Sequence, residues 1–346
     1  MMRILYLCHL DPATCDYPLF LAEEWEKIGH EVHLLPYDIE YTNNITAKFW
    51  DSLGRGDEDL RLAFLERRIV SVCQQRRPEV LILGAQFLTP KGVKRLREKF
   101  GCCVGMVIGY NNLLDWETAA LTRTSDFVIV HDTYLIPIIR GVRYGKNPNV
   151  LFMMCMANPK EHQPLDMSEE DRQQYGGDVA FIGGIGDNRV EAFRRLTGYD
   201  LRIWGGHWQK APDLTPFFRN EPVYGLKKTK IYNAAKIVLN IEDDEKQINA
   251  ISNRIPEVLA CGGFILTDWH KDLELTPLVE GESIVCYRSL DELREKVDYY
   301  LNHPEERKAI SEKGRKIVLE SMTYREIAAR LALEMEGIVS QSIKAR

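Results

Sequence analysis

Short apolar runs that do not alternate constrain this chain most. Arg3–Cys8, Val80–Leu83, Phe127–Val130 and Ile237–Ile241 are rich in Leu, Ile and Val at successive positions. A strand with one wet face alternates polar and apolar residues, whereas a strand apolar at consecutive positions is covered on both faces. Helical segments separate the runs. That combination predicts an α/β protein whose parallel sheets lie between layers of helix.

The spacing predicts strand Arg3–Cys8, helix Leu19–Ile28, strand Glu31–Leu35, a long helix near Glu58–Gln75, and strand Val80–Leu83. Helix Lys91–Phe100, strands Val104–Ile108 and Phe127–Val130, helix Tyr134–Arg140 and strand Asn149–Met153 follow. Residues 156–177 break the pattern with two prolines, many charges and little apolar content, which predicts an inter-domain linker over 161–177. Strands resume at Asp178–Ile182, and three helices close the chain near 290–301, 304–320 and 323–338. A length of 346 residues calls for two cores. The predicted division is a Rossmann-like domain over 1–160, a second over 178–322, and a last helix, 323–346, with the length to cross back to the first. Two such halves predict a cleft faced by the carboxyl ends of both sheets.

Three segments carry the candidate chemistry. In GDVAFIGGIGDNR, a strand ends in Gly183, Gly184 and Gly186 and a helix starts near Asp187. Glycines let a phosphate approach the backbone, and the helix N-terminus offers free N–H groups; Arg189 lies in the first turn. A dinucleotide fingerprint fits poorly, because Arg189 stands at its third glycine and the next strand ends in Gly205-Gly206 rather than an acid. A ligand-free tight turn is the alternative reading. In NAISNRIPEVLACGGFILTD, Ser252 or Asn253 caps a helix that carries Arg254 and Glu257 and ends on Gly262-Gly263. The pair serves either a polar ligand or an ordinary helix surface. In the segment from Tyr224 to Asp244, Lys227 or Lys228 has the charge to neutralise a phosphate, or else is a solvated cap residue. Asn240 ends a strand, as a cleft-facing or a turn residue.

Those segments resemble the nucleotide-binding half of GT-B glycosyltransferases, and more closely the CgeB-like (spore maturation protein) group. The matching pieces are 177–189, 230–241, 253–268 and 282–327; over 1–160 the likeness is architectural. The resemblance implies a GT-B fold and transfer of a sugar from a nucleoside-diphosphate sugar, UDP among the candidate nucleotides, to a glycan, protein or small-molecule acceptor. It implies that Glu257, just before the Ala260–Gly263 turn, holds the ribose. The diphosphate lies near Gly183, Gly184, Gly186, Arg189 and Arg254, framed by Lys227 and Tyr232, with Asn249, Asn253, Gly262 and Gly263 completing the donor side. Retaining enzymes of the E-x7-E group have a Glu where this chain has Asn249, an amide that hydrogen-bonds a sugar but carries no charge, so retention is not inherited. Some inverting GT-B enzymes place a base histidine after their first strand. His9 stands there, with Asp11 or Asp16 to orient it as a general base; a locally bonded loop histidine is the alternative. His131-Asp132 is a second candidate. Tyr110 and Asn111 line the acceptor side. Trp204, Trp208, Tyr110 and Trp116 read as ring-stacking surfaces or as core.

Other readings narrow the class. GT-B enzymes do not depend on a metal, so Asp57–Asp59 and Glu242–Glu245 read as capping or solvated loops and no metal or other cofactor is expected. The eight scattered cysteines lack zinc spacing and read as reduced and buried, in a cytoplasmic protein. A net charge of −6 argues against a general nucleic-acid partner. Lys91, Lys94, Arg95, Arg97 and Lys99 read as the solvated face of a helix; membrane contact through them is not favoured. No run is long and apolar enough for a transmembrane helix. A sugar-nucleotide epimerase and a non-catalytic nucleotide-sugar or glycan binder are the alternative functions.

Overall fold

The computed structural model of the chain describes residues 1–8, 17–36, 58–83, 88–108, 116–141, 146–221, 223–242 and 247–344. Its backbone divides into two compact units: Met1–Met153 with Tyr324–Arg346, and Met154–Thr323.

In the first unit, β1 (Arg3–Cys8), α1 (Tyr17–Lys27), β2 (Glu31–Pro36), α2 (Glu58–Arg76), β3 (Val80–Leu83) and α3 (Pro90–Phe100) come first. Then follow β4 (Cys103–Ile108), α4 (Trp116–Thr124), β5 (Phe127–Val130), α5 (Leu135–Arg140) and β6 (Val150–Phe152). The strands form one sheet in the order β2-β1-β3-β4-β5-β6, each pair parallel. β3, β4 and β5 are buried at every position, as an all-apolar strand in a covered sheet must be. Strand order reverses at β1, which sits between β2 and β3. Helix α3 shows how local sequence sets an element. Thr89 caps it by accepting from the Gly92 N–H, Pro90 starts it, and Gly101 at φ 65° ends it. Its basic face is solvated and paired: Arg95 with Glu66 at 3.0 Å, Arg97 with Asp126 at 2.9 Å.

The second unit runs α6 (Glu169–Tyr175), β7 (Gly177–Ile182), α7 (Asp187–Arg194), β8 (Leu201–Trp204), α8 (Gly225–Ala234) and β9 (Ala235–Asn240). It continues through α9 (Arg254–Ala260), β10 (Ile265–Asp268), β11 (Val285–Tyr287), α10 (Leu290–Asn302) and α11 (Pro304–Ser321). Its parallel sheet has the order β11-β10-β9-β7-β8. The order reverses between β8 and β9, so the switch point lies where β7 and β9 run side by side. The last helix, α12 (Tyr324–Lys344), groups with the first unit. There Trp25 Nε1 donates to the Ala328 carbonyl at 2.9 Å, and Phe20 packs edge-on against Tyr324.

One expectation is corrected, and one open reading is decided. Residues 161–177 are not a linker but part of the second unit. His162 and Met167 are buried, Leu165 N–H donates to Asn233 Oδ1, and Thr229 Oγ1 donates to the Glu161 carbonyl. Charges and prolines disguised a segment held by side-chain bonds rather than by apolar area. Trp204 and Trp208 are core residues, fully buried. Trp208 packs with Phe181 and Phe193 and donates Nε1–H to the Gly183 carbonyl; Trp204 donates to Glu221.

Candidate functional site

In an open parallel sheet, ligands bind beyond the carboxyl ends of the strands at the switch point. In the second unit that place is bordered by the glycine loop after β7, the start of α9, and the residues after β9.

Glu257 lies in the first turn of α9 and is 8% exposed. Helix α8 supplies its partners from one face, because residues four apart are neighbours there. Lys228 Nζ donates to Glu257 Oε1 at 3.0 Å, and Tyr232 Oη to Oε2 at 3.2 Å. His162 Nε2 stands 3.7 Å from Oε1. Burial alone would raise the Glu257 pKa, but the Lys228 ammonium, with Arg254, outweighs it and holds the carboxyl below its ordinary value. Burial, then the Glu257 charge, raises the Tyr232 phenol well above its ordinary value. The site therefore presents a fixed, ionised carboxylate. A carboxylate has about four acceptor positions, so two direct donors leave room for a pair of vicinal hydroxyls.

The glycines divide by role. An added Cβ at Gly183 would meet the Phe181 ring at 2.7 Å, and at Gly263 the Tyr232 carbonyl at 2.6 Å. Those two serve close packing. Gly262, at φ +77°, ends α9 in the left-handed region, and its N–H donates to Leu259. Gly184 is different: nothing but the Gly206 carbonyl, 3.9 Å away, lies near its Cβ direction. Gly186 caps α7.

Arg189 is corrected from its expected role as a free phosphate ligand. It is buried, donating from Nε to the Ile241 carbonyl and from Nη1 to Gly184, each at 3.0 Å. It ties the glycine loop to the end of β9. Arg254 is half-buried, donates twice to the Ile182 carbonyl and bonds Asn240 Oδ1. Both guanidinium groups flank the Phe181 ring, at 5.4 and 4.9 Å. Lys227 is paired with Glu221, while its neighbour Lys228 reaches Glu257. Asn253 stands at the start of α9 without capping it; its Oδ1 accepts from the Met156 N–H. Asn249 is half-buried, and its carbonyl accepts from the Asp272 N–H.

A second polar cluster closes the end of β9 and β10. Glu242, expected in a solvated loop, is 1% exposed. Its Oε1 accepts from Asn240 Nδ2 at 2.7 Å and from the Ser252 N–H, and its own N–H donates to Asp268 at 2.8 Å. Burial, then the Asp268 charge, raises its pKa. His270 bonds Asp268 Oδ2 at 3.2 Å through Nε2 and the Ile248 carbonyl at 3.3 Å through Nδ1. Burial opposes its protonation, but the Asp268 bond and charge, with Glu242, push it up to about 9. The ring bridges the Asp268 carboxylate and the Ile248 carbonyl, with the Glu242 charge nearby.

His9, Asp11, Asp16, Tyr110, Asn111, Asp243 and Asp244 lie outside the described residues. His131 follows β5, and burial lowers its pKa to about 4. The adjacent Asp132 accepts from the Tyr134 N–H at the start of α5, a structural turn. Among the described residues no His/Cys/Asp/Glu group could hold a metal ion.

Residues 188–332 match the family model described as "Glycosyl transferase-like". Spore protein CgeB of Bacillus subtilis (strain 168) is 27% identical over 177 residues, 45% of this chain and 53% of CgeB. Over that stretch the chain is similar to CgeB. The match spans about half the length of CgeB. Among solved structures, sucrose-phosphate synthase from Thermosynechococcus elongatus superposes at a TM-score of 0.71 with 13% identity, covering 99% of this chain and 100% of that one. Anabaena HepE in complex with UDP-glucose superposes at 0.66 with 12% identity, covering 97% and 100%. A UDP-N-acetylglucosamine 2-epimerase superposes at 0.53 with 12% identity, covering 96% and 94%. At such identities these likenesses speak for the fold alone. The chain has the GT-B fold, and the stretch 188–332 is similar to a glycosyl transferase-like domain.

Proposed function

We propose that this protein is a glycosyltransferase that takes its sugar from a nucleoside-diphosphate sugar bound by the second unit. The observation that carries the reading is Glu257, a buried, ionised carboxylate at the switch point with acceptor positions to spare for ribose hydroxyls. The diphosphate belongs beside Gly184, where the backbone is open, near the N-terminus of α7, with the Lys228 ammonium proposed to turn from Glu257 to meet it. Leaving-group charge is then stabilised by fixed cations and helix N–H groups, so no metal is required. His9 is the proposed general base, oriented by Asp11, because it follows β1, the strand at which the first sheet reverses order. With a base there and Asn249 in place of a second Glu, the transfer inverts. Tyr110 and Asn111 belong to the acceptor side. UDP is the nucleotide to test first, since HepE binds UDP-glucose.

A sugar-nucleotide epimerase is the second reading, favoured by the epimerase among the structural neighbours. One experiment separates them. UDP-sugars are incubated with and without a panel of glycan and small-molecule acceptors, and products are identified by NMR. A new glycosidic bond only when acceptor is present supports the transferase. A new UDP-sugar without acceptor supports the epimerase.

A further inference from the structure

The imidazole of His162 is buried and has an unspent donor. Its Nδ1 accepts from the Asn158 N–H at 3.1 Å. A neutral ring that accepts at Nδ1 carries its proton on Nε2, and burial lowers the His162 pKa to about 4, so the ring is neutral near pH 7. Nε2 has no hydrogen-bond partner among the described residues. It faces Glu257 Oε1 at 3.7 Å, too far to bond. The ring is held in this orientation by the Asn158 N–H bond to Nδ1 and by burial of the side chain.

The nearer donor on that oxygen is Lys228, at 3.0 Å, on a flexible stem whose side chain is 23% exposed. Two donors thus compete for one oxygen, one mobile and cationic, the other fixed and neutral. A diphosphate arriving beside Gly184 draws the ammonium away, because a phosphate offers more negative charge than a single carboxylate. Lys228 carries its charge to the phosphate, and the buried Glu257 Oε1 it leaves then needs another donor, which His162 stands ready to supply.

We propose that His162 is a positioning residue for the donor nucleotide, taking over Glu257 Oε1 when Lys228 moves to the diphosphate. This rests on the donor reading above and deepens it. A movement of less than about 1 Å makes the bond. A neutral donor there fixes the carboxylate without cancelling its charge, while Tyr232 keeps Oε2.

The test is nitrogen-15 NMR of the imidazole in the full chain, with calorimetric titration of UDP, GDP and ADP. Saturating nucleotide should turn the His162 Nε2–H into a low-field, slowly exchanging resonance. Lys228→Met should produce that resonance without nucleotide. His162→Leu should weaken nucleotide binding about 10-fold, the lower end for a hydrogen bond to a charged group, and His162→Gln, which keeps an N–H donor, should recover most of it. An unchanged Nε2–H at saturation, or His162→Leu affinity within about twofold of wild type, overturns the inference while leaving nucleotide binding intact. Wild-type protein that binds none of the three nucleotides overturns the donor reading and this inference together.

Discussion

His270 gives the cluster at the end of β9 and β10 a measurable pH signature. Its pKa rises from 6.5 unfolded to about 9 folded. A proton held more tightly by the native state stabilises that state below the unfolded pKa. The contribution is therefore complete below pH 6.5 and is lost as pH rises through about 9. A shift of that size corresponds to about 3 kcal/mol. Part of the ring is reached by solvent and the Asp268–Glu242 pair shares the charge, so roughly 1–2 kcal/mol is the expected yield. The perturbation is His270→Gln, which keeps a polar side chain but cannot carry charge. Urea unfolding of both proteins, followed by a probe in the second unit from about pH 6 to about pH 10, should show wild type losing that amount more than the variant. Proton NMR of the ring should titrate near 9. Parallel stability curves, or a ring titrating near 6.5, would refute the account of a bridged imidazolium.

Four further outcomes are expected. Glu257→Ala should weaken UDP binding about 10- to 100-fold, measured by calorimetry; because its folded pKa is lowered, the stability it contributes is present above pH 4.5 and fades as pH falls through the folded value. Gly184→Val should abolish diphosphate binding with the melting temperature nearly unchanged, whereas Gly263→Val, aimed at the Tyr232 carbonyl, should lower the melting temperature by several degrees; equal melting of the two would contradict the division of roles. His9→Ala should cut turnover by about 10²–10⁴ with donor affinity retained and product configuration inverted relative to the donor; retention by NMR would return His9 to an ordinary loop residue. Transfer should persist in EDTA, and its restoration only by Mg²⁺ or Mn²⁺ would redirect attention to Asp243 and Asp244.

Much of the framework was legible because its signals are local. An all-apolar run such as Phe127–Val130 can only be a covered strand, and the structure ends it at the same residues. Glu257 stood out through the Gly262-Gly263 stop that follows it. Its partners divide instructively. Lys228 and Tyr232 lie four apart on one helix, so their shared face was readable. His162 was not: it sits in a stretch with the composition of a linker, and its approach to Glu257 is created by folding across 95 positions of sequence. Arg189 misled for a related reason. A guanidinium in the first turn of a helix after glycines suits a phosphate, and only the fold reveals that two carbonyls, Gly184 and Ile241, already claim it. Glu242 misled because an acidic run looks wet in sequence, yet the Asn240 and Ser252 donors bury its first member.

The hydrogen bond from Trp25 to Ala328 spans 303 positions, and it sets an order of assembly during synthesis. The second unit is one uninterrupted segment, so every residue of it exists once Thr323 is made. The first unit begins earlier but lacks α12 until Tyr324–Lys344 has been made. Between Met153 and Tyr324 the ribosome works for roughly 10–30 s at ordinary elongation rates. During that interval the faces of Trp25 and Phe20 that α12 covers stand open on the nascent chain. Nascent chains stalled at Thr323 should accordingly recruit holdase chaperones through the first unit, and chains in which α12 has been made and has emerged should not.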